Sequence, residues 1–416
     1  MKKLIVTLIA GLLVCALLAG CGNSSQPTTT AAPETTTEAP TTTKAPETTE
    51  APTEAPTQSD AEIAAEVGAL LDAIYVQTWT EETEAQIEAA RAAWDALTDE
   101  QKELVEGEEV DADYMLLDTG DASLDDPRNQ DGIGENEILV VSFGTSYNDS
   151  RVQDIKAIED AIAKAYPDWS VRRAFTAQII INHIQVRDGE KIDNIDQALR
   201  RAVDNGVKNL VIQPTHLMHG AEYDEIIDTL EKYQDKFEKV KVSEPLLGSV
   251  GSDATVINED KEYVAKAVVA DTLADAQIES IEAAAAEGTA LVYMGHGTAH
   301  EAKVTYSQMQ TMMNNLGYKN VFIGTVEGEP EETACENIIE AVKEAGYTYV
   351  IMRPLMVVAG DHAHNDMAGE DEDSWVSQFA ADGSFYTIDP RLQGLGRIPA
   401  IQELYISHIS AALRGM

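Results

Sequence analysis

From Glu137 to the C-terminus, short apolar runs alternate with stretches whose apolar positions recur every three or four residues. "EILVVSF", "NLVIQP", "ALVYMG", "NVFIGT" and "YVIMRPLMVV" have the composition of strands buried on both faces of a parallel sheet. Between them, "VQDIKAIEDAIAKAY", "EYDEIIDTLEKY" and "CENIIEAVKEAG" carry one apolar stripe each and read as helices. Such alternation predicts an α/β layered fold. Upstream, Ile87, Ala90, Trp94 and Leu97 fall at helical spacing, and Thr98 with Gln101 has the pattern of a capping box for the next helix. Residues 60–118 are therefore expected to form a small helical module and loop, whose few apolar residues are too little for an independent core. The module is either a spacer or an element packed on the rest. The stretch from Gly120 to Asn136, rich in Asp, Asn and Gly, reads as loop.

The N-terminal segment has a different grammar. Lys2 and Lys3 precede an apolar stretch from Leu4 to Leu18, which is too short to span a bilayer and has the layout of an export signal. Its ending, Leu18-Ala19-Gly20-Cys21, resembles the lipobox of bacterial lipoproteins, which implies a signal peptide over 1–20 and lipidation of Cys21. Residues 21–59 are almost wholly Thr, Pro, Ala and Glu, a composition that cannot bury enough apolar surface to offset ordering. They read as a tether that, extended, reaches on the order of 100 Å at ~3.1 Å per residue. The expected location is the outer face of a bacterial cell membrane, touched only through the lipid. A net charge of −44, spread along the chain, argues against nucleic acid or anionic lipid as a partner. Beyond Cys15 and Cys21 only Cys335 remains, so the mature chain has no internal disulfide.

About 280 residues is long for one open sheet, and the α/β part contains a repeat. Val141–Ser146 ("VSFGTS") aligned on Met294–Ala299 ("MGHGTA") matches Gly144 with Gly297 and sets Phe143 opposite His296. Ile212–Glu222 aligned on Met352–His362 matches Pro214 with Pro354 and Gly220 with Gly360, and sets Glu222 opposite His362. Two similar Rossmann-like halves follow, over 137–250 and 288–416, joined by a helical connection at 251–287. Open α/β sheets bind ligands beyond the carboxyl ends of their strands, and His296, Glu222 and His362 all fall there. Two imidazoles and a carboxylate suit a divalent first-row metal such as Co, Fe, Ni or Zn, loosely enough held to be exchanged. His364 is placed to face the same cleft or support it, while His216, His219 and His300 on the same rim read as structural. Acidic Gly369–Asp373 reads as a solvated helix start.

"ILVVSFGTSY", "RAFTAQIII", "VRDGEKID", "GAEYDEI", "VYMGHGTAH" and "PLMVVAGDHAHNDMAGEDEDSW", in this order, closely resemble the anaerobic sirohydrochlorin cobaltochelatase family, whose fold is related to that of ferrochelatase. The resemblance covers about 138–413 and leaves out the signal, tether and helical module. It implies insertion of Co2+ as substrate metal into the tetrapyrrole sirohydrochlorin, on the anaerobic route to cobalamin, without a nucleotide or organic cofactor. It also implies a metal site of His296, Glu222 and His362. Metallation removes two pyrrole N–H protons, and His296, as the residue type whose ordinary pKa lies nearest neutral pH, is the expected base as well as a ligand. Since ligating imidazoles must be neutral, activity is expected to fall below about pH 6. Arg172, Arg173, Lys303 and Arg353 are the candidate cations for the carboxylate-rich rim of the substrate. A homo-oligomer is compatible with all of this. The alternatives are a tetrapyrrole- or haem-binding protein outside the cell, or a metal-binding surface lipoprotein, on the same fold.

Overall fold

Two four-stranded parallel sheets form, five of their eight strands on the predicted apolar runs, in a computed structural model that describes residues 58–416. The signal peptide at 1–20, Cys21 and nearly all of the tether lie outside the described residues. The first sheet has the order β2-β1-β3-β4, with β1 at Asn136–Ser142, β2 at Ser170–Phe175, β3 at Asn209–Pro214 and β4 at Lys239–Val242. The second repeats it as β6-β5-β7-β8, with β5 at Thr289–Gly295, β6 at Val321–Thr325, β7 at Tyr349–Pro354 and β8 at Thr387–Pro390.

The repeat holds at the level of register. Val141 pairs with Pro214 and Met294 with Pro354, the pairs that the aligned sequences require. After each central strand the chain turns through a glycine in the left-handed region, Gly144 at φ +106° and Gly297 at φ +94°. A side chain there would be strained and would also collide, with Phe175 in one half and Glu327 in the other.

Helices are exchanged between the halves. The helix Glu259–Asp275, which follows the first half, packs on the second sheet, where the Tyr293 hydroxyl bonds Thr272 at 2.7 Å. The last helix, Pro399–Arg414, returns to the first half, and Tyr405 donates from its hydroxyl to the Thr215 carbonyl at 2.8 Å. Both helices belong to one apolar core that includes Ile138, Val211, Val264, Leu291, Ile351 and Ile401, so the halves share a hydrophobic interior. Among the described residues no helix is long and apolar enough to cross a membrane.

The helical module is a packed-on element. Ile87, Ala90, Trp94 and Leu97 are buried as their spacing predicts, the Thr98–Gln101 capping box forms, and Val186 from the helix Gln178–Asp188 completes the cluster. Asn182 of that helix donates to the Ile74 carbonyl at 2.8 Å, and Tyr114 stacks on His183 with centroids 3.8 Å apart. The loop that follows is pinned by Asp125, whose buried carboxylate accepts from Arg151 and from Arg173 at 2.6 Å each. Burial alone would raise its pKa, but the two guanidiniums outweigh that and hold it down at about 2. That loop is part of the charge balance of the first half and not a detachable spacer.

Candidate functional site

The two candidate histidines meet. His296 leaves the end of β5, His362 opens the turn after β7, and their rings lie edge to face with centroids 4.4 Å apart. Each ring has one nitrogen committed. His296 Nδ1 is 2.8 Å from the Gly297 carbonyl, and His362 Nδ1 is 2.7 Å from Asp366 Oδ2. A carbonyl and a carboxylate only accept, so both Nδ1 atoms carry the proton and both Nε2 atoms present a lone pair. A carboxylate behind an imidazole is also the arrangement that orients a metal-binding histidine and raises its basicity. His362 shows that effect: burial would lower its pKa, yet the bond to Asp366 and the charges of Asp366, Asp361 and Glu327 raise it above the ordinary 6.5. His362 caps the start of a π-helical turn, Ala363–Met367, a form that recurs at functional sites.

Glu222 sits in the first turn of the helix Ala221–Glu231 and approaches from the first half. Its charge acts on Tyr306, His216 and Glu225. The Tyr306 hydroxyl accepts from the Gly297 N–H at 3.2 Å, so Glu222 lies beside the turn that presents His296. Among the described residues no group of three His, Cys, Asp or Glu side chains is drawn together tightly enough to hold a metal ion. The geometry is a pair of imidazoles with carboxylates around it.

One of those carboxylates escaped the sequence reading. Glu327 follows β6, its N–H donates to the His296 carbonyl at 2.9 Å, and its charge acts on His362. The signal was in the repeat: Ala177 makes the same backbone bond to Phe143 in the first half, so the Phe143/Ala177 pair there is replaced by His296/Glu327. Finding it required the register of β2 and β6, which the apolar runs do not reveal.

The other rim residues take supporting places. His364 stacks on Tyr147, with centroids 4.1 Å apart, and its Nδ1 donates to the Gly360 carbonyl. His300 accepts from the Ala302 N–H and contacts Asp224 at 3.3 Å. His219 bridges the Gly248 carbonyl and Glu244, and burial holds the His216 imidazole down at about 4. Gly369–Asp373 precedes the helix Trp375–Asp382 and is largely exposed.

Three of the four candidate cations are not on the rim. Arg172 is buried against Glu137, Arg173 against Glu159 and Asp125, and Arg353 against Asp271. All three lie inside sheet layers, where a charge persists only with a partner, so their guanidiniums are spent within the fold. Lys303 remains accessible and pairs with Glu329 at 2.6 Å.

A model of the family cobalt chelatase (CbiK) matches residues 136–414. The sirohydrochlorin cobaltochelatase of Salmonella typhimurium is 36% identical over 276 residues, covering 66% of this chain and 96% of that protein. The sirohydrochlorin cobaltochelatase CbiKC of Nitratidesulfovibrio vulgaris is 27% identical over 281 residues, covering 67% of this chain and 91% of that protein. Among solved structures, SirB from Bacillus subtilis with Fe3+ is similar at a TM-score of 0.43 and 15% identity, over 67% of this chain and 96% of that one. With two thirds of its length matched, the chain belongs to the cobalt chelatase (CbiK) family.

Proposed function

We propose that this protein inserts Co2+ into sirohydrochlorin, and that the facing Nε2 atoms of His296 and His362 carry the reaction. Supporting this reading is the juxtaposition of the two rings at 4.4 Å, each with Nδ1 tied back and Nε2 free. The metal must shed water as four macrocycle nitrogens replace it, and two N–H protons must leave. His362, oriented by Asp366, receives the hydrated ion together with Glu222 and Glu327, whose charges favour a dication. His296 Nε2 serves as ligand and then, released by the ion, takes one pyrrole proton as the ion moves into the ring, while the second goes to water shed by the ion. Two imidazoles with carboxylates around them leave coordination positions open, which suits a metal that has to be passed on.

The proposal includes export and anchoring through Cys21, supported by the Leu-Ala-Gly-Cys ending and the tether composition. Cys21→Ala should release the protein from membranes, and a variant that stays bound after a high-salt wash would refute the anchor. For the activity, purified protein is mixed with metal-free sirohydrochlorin and Co2+ and the absorption spectrum is followed. Metallation faster than in a protein-free control is expected. Tight tetrapyrrole binding with no acceleration would make the protein a binder.

A further inference from the structure

Asp154 lies in the first half, in a π-helical stretch over Arg151–Lys156, and is fully buried. Its two oxygens face two donors of the second half: Oδ1 accepts from Arg397 Nε at 2.6 Å, and Oδ2 from the Ala359 N–H at 3.0 Å. Two glycines make room for it. A methyl at Gly394 would collide with Oδ2, and one at Gly396 with the Asp154 carbonyl. Burial raises the Asp154 pKa even against Arg397, so the ionised carboxylate costs the fold stability instead of supplying it.

What the carboxylate holds is the approach to His362. The turn that follows Ala359 is a closed unit, in which the Gly360 carbonyl accepts from the Ala363 N–H at 3.0 Å, the His364 N–H at 3.2 Å and His364 Nδ1 at 2.9 Å. His362 sits inside that unit, so its position follows from where the chain enters. Leu395 and Gly396 donate to the Met356 and Val357 carbonyls at 2.9 and 2.8 Å, which fixes the entering segment from within the second half. Asp154 then fixes its last residue from the first.

The matching approach to Glu222 lacks this anchor. Leu246 and Leu247 donate to the His216 and Leu217 carbonyls, as in the other half. At the same distance from the glycine turn as Asp154, however, stands Ser307, whose hydroxyl donates to Glu332 of its own half at 2.6 Å.

We propose that Asp154 is a positioning residue of the metal site, which by fixing Ala359 across the two halves holds His362 Nε2 toward His296. This rests on the chelatase reading above and deepens it. A carboxylate is suited to the place because both partners are donors: an amide has one acceptor oxygen and would turn its NH2 group on either Ala359 or Arg397.

The test uses the full chain. Asp154→Asn should weaken Co2+ binding roughly tenfold, read as Kd from a Co2+ titration without sirohydrochlorin and as KM for Co2+, with KM for sirohydrochlorin unchanged. Arg397→Gln keeps a donor to Oδ1 and leaves the Ala359 bond, so it should lower the urea midpoint and leave both Co2+ constants unchanged. If Asp154→Asn does not fold, Gly394→Ala takes its place, since its methyl displaces Oδ2 while the charge remains, and the same direction is expected. Wild-type Co2+ constants in the variant that folds, or an equal rise in Arg397→Gln, would make Asp154 merely structural and overturn this inference while the chelatase reading stands. A wild type that binds Co2+ without accelerating metallation overturns the chelatase reading, and the Kd comparison still decides the role of Asp154. A wild type that binds no Co2+ removes both.

Discussion

The two halves of the α/β part share a backbone and divide the labour. In the first, the residue before the glycine turn is Phe143 and its backbone partner is Ala177; in the second, the same places hold His296 and Glu327. On the neighbouring strand the contrast reverses. β2 buries Arg172 and Arg173, whereas the matching positions of β6 are Phe322 and Ile323. On this strand pair the first half spends its charges inside the fold, whereas the second, Arg353 on β7 apart, places its histidines at the strand ends, where a metal and a proton can reach them. A duplicated backbone thus fixes where chemistry can occur. The side chains at a few matched positions decide which copy performs it.

The largest test of that division is the matched pair His296→Ala and Phe143→Ala. Loss of a positioned base costs roughly 10²–10⁴ in rate, so His296→Ala should nearly abolish metallation while the fold survives. Phe143, 45% exposed at the same strand end, offers only apolar surface, and its truncation should cost less than about tenfold. Initial rates at saturating Co2+ decide it. Equal losses in the two variants would break the comparison.

Next in size is a stability contrast. Asp125→Ala takes one carboxylate from two buried guanidiniums, leaving Arg173 with Glu159 and Arg151 with Glu190, and should destabilise the protein by about 3 kcal/mol. Ile323→Val, at the matched apolar position, should cost only about 1 kcal/mol. The first effect also depends on pH. The Asp125 pKa is depressed from 3.8 to about 2, so its contribution is complete above pH 3.8 and fades as pH falls through about 2. Urea unfolding of wild type and Asp125→Ala at pH 7 and at the lowest pH that still permits folding should show the gap narrowing in acid. A constant gap would mean that the pair is not the cause.

These contrasts also mark what was legible in the sequence. Five strands announced themselves as apolar runs, and the repeat located both glycine turns and brought His296 and His362 to one cleft. β2, β4 and β8 gave no such signal, because "SVRRAF", "KVKV" and "TIDP" carry charges or sit partly exposed at sheet edges. Missing β2 led directly to the misplacement of Arg172 and Arg173. A sequence shows a cation but not the carboxylates Glu137, Glu159 and Asp125 that arrive from distant segments to bury it. Glu327 was lost for the same reason, since its nearness to His296 depends on strand register.

A smaller effect should separate the carboxylates from the base. Glu222→Gln and Glu327→Gln keep size and remove charge, so each should raise KM for Co2+ about tenfold and leave kcat within a few-fold. Because both act on one ion, the double variant should lose less than the sum of the two in free energy. Full additivity would show that they act at separate places, and an effect of Glu222→Gln alone would return the site to the three residues expected from sequence.

The smallest expected effect sharpens the pH dependence. A ligating imidazole must be neutral, and the raised pKa of His362 keeps its protonated form populated above 6.5. As pH falls through that pKa, Co2+ binding weakens, so the acid limb should lie higher than the value near 6 expected for unperturbed histidines. The bond from His362 Nδ1 to Asp366 is the largest contribution that raises the pKa, opposed by burial. In Asp366→Asn the acceptor survives as an amide oxygen but the charge is gone. The acid limb of kcat/KM for Co2+ should then move to lower pH, with the rate near pH 8 only slightly reduced because the ring is still held. The measurement is the full profile of kcat/KM against pH for both proteins. A limb that does not move would assign the ionisation to a group other than His362, and a limb that moves up would contradict the charge argument itself.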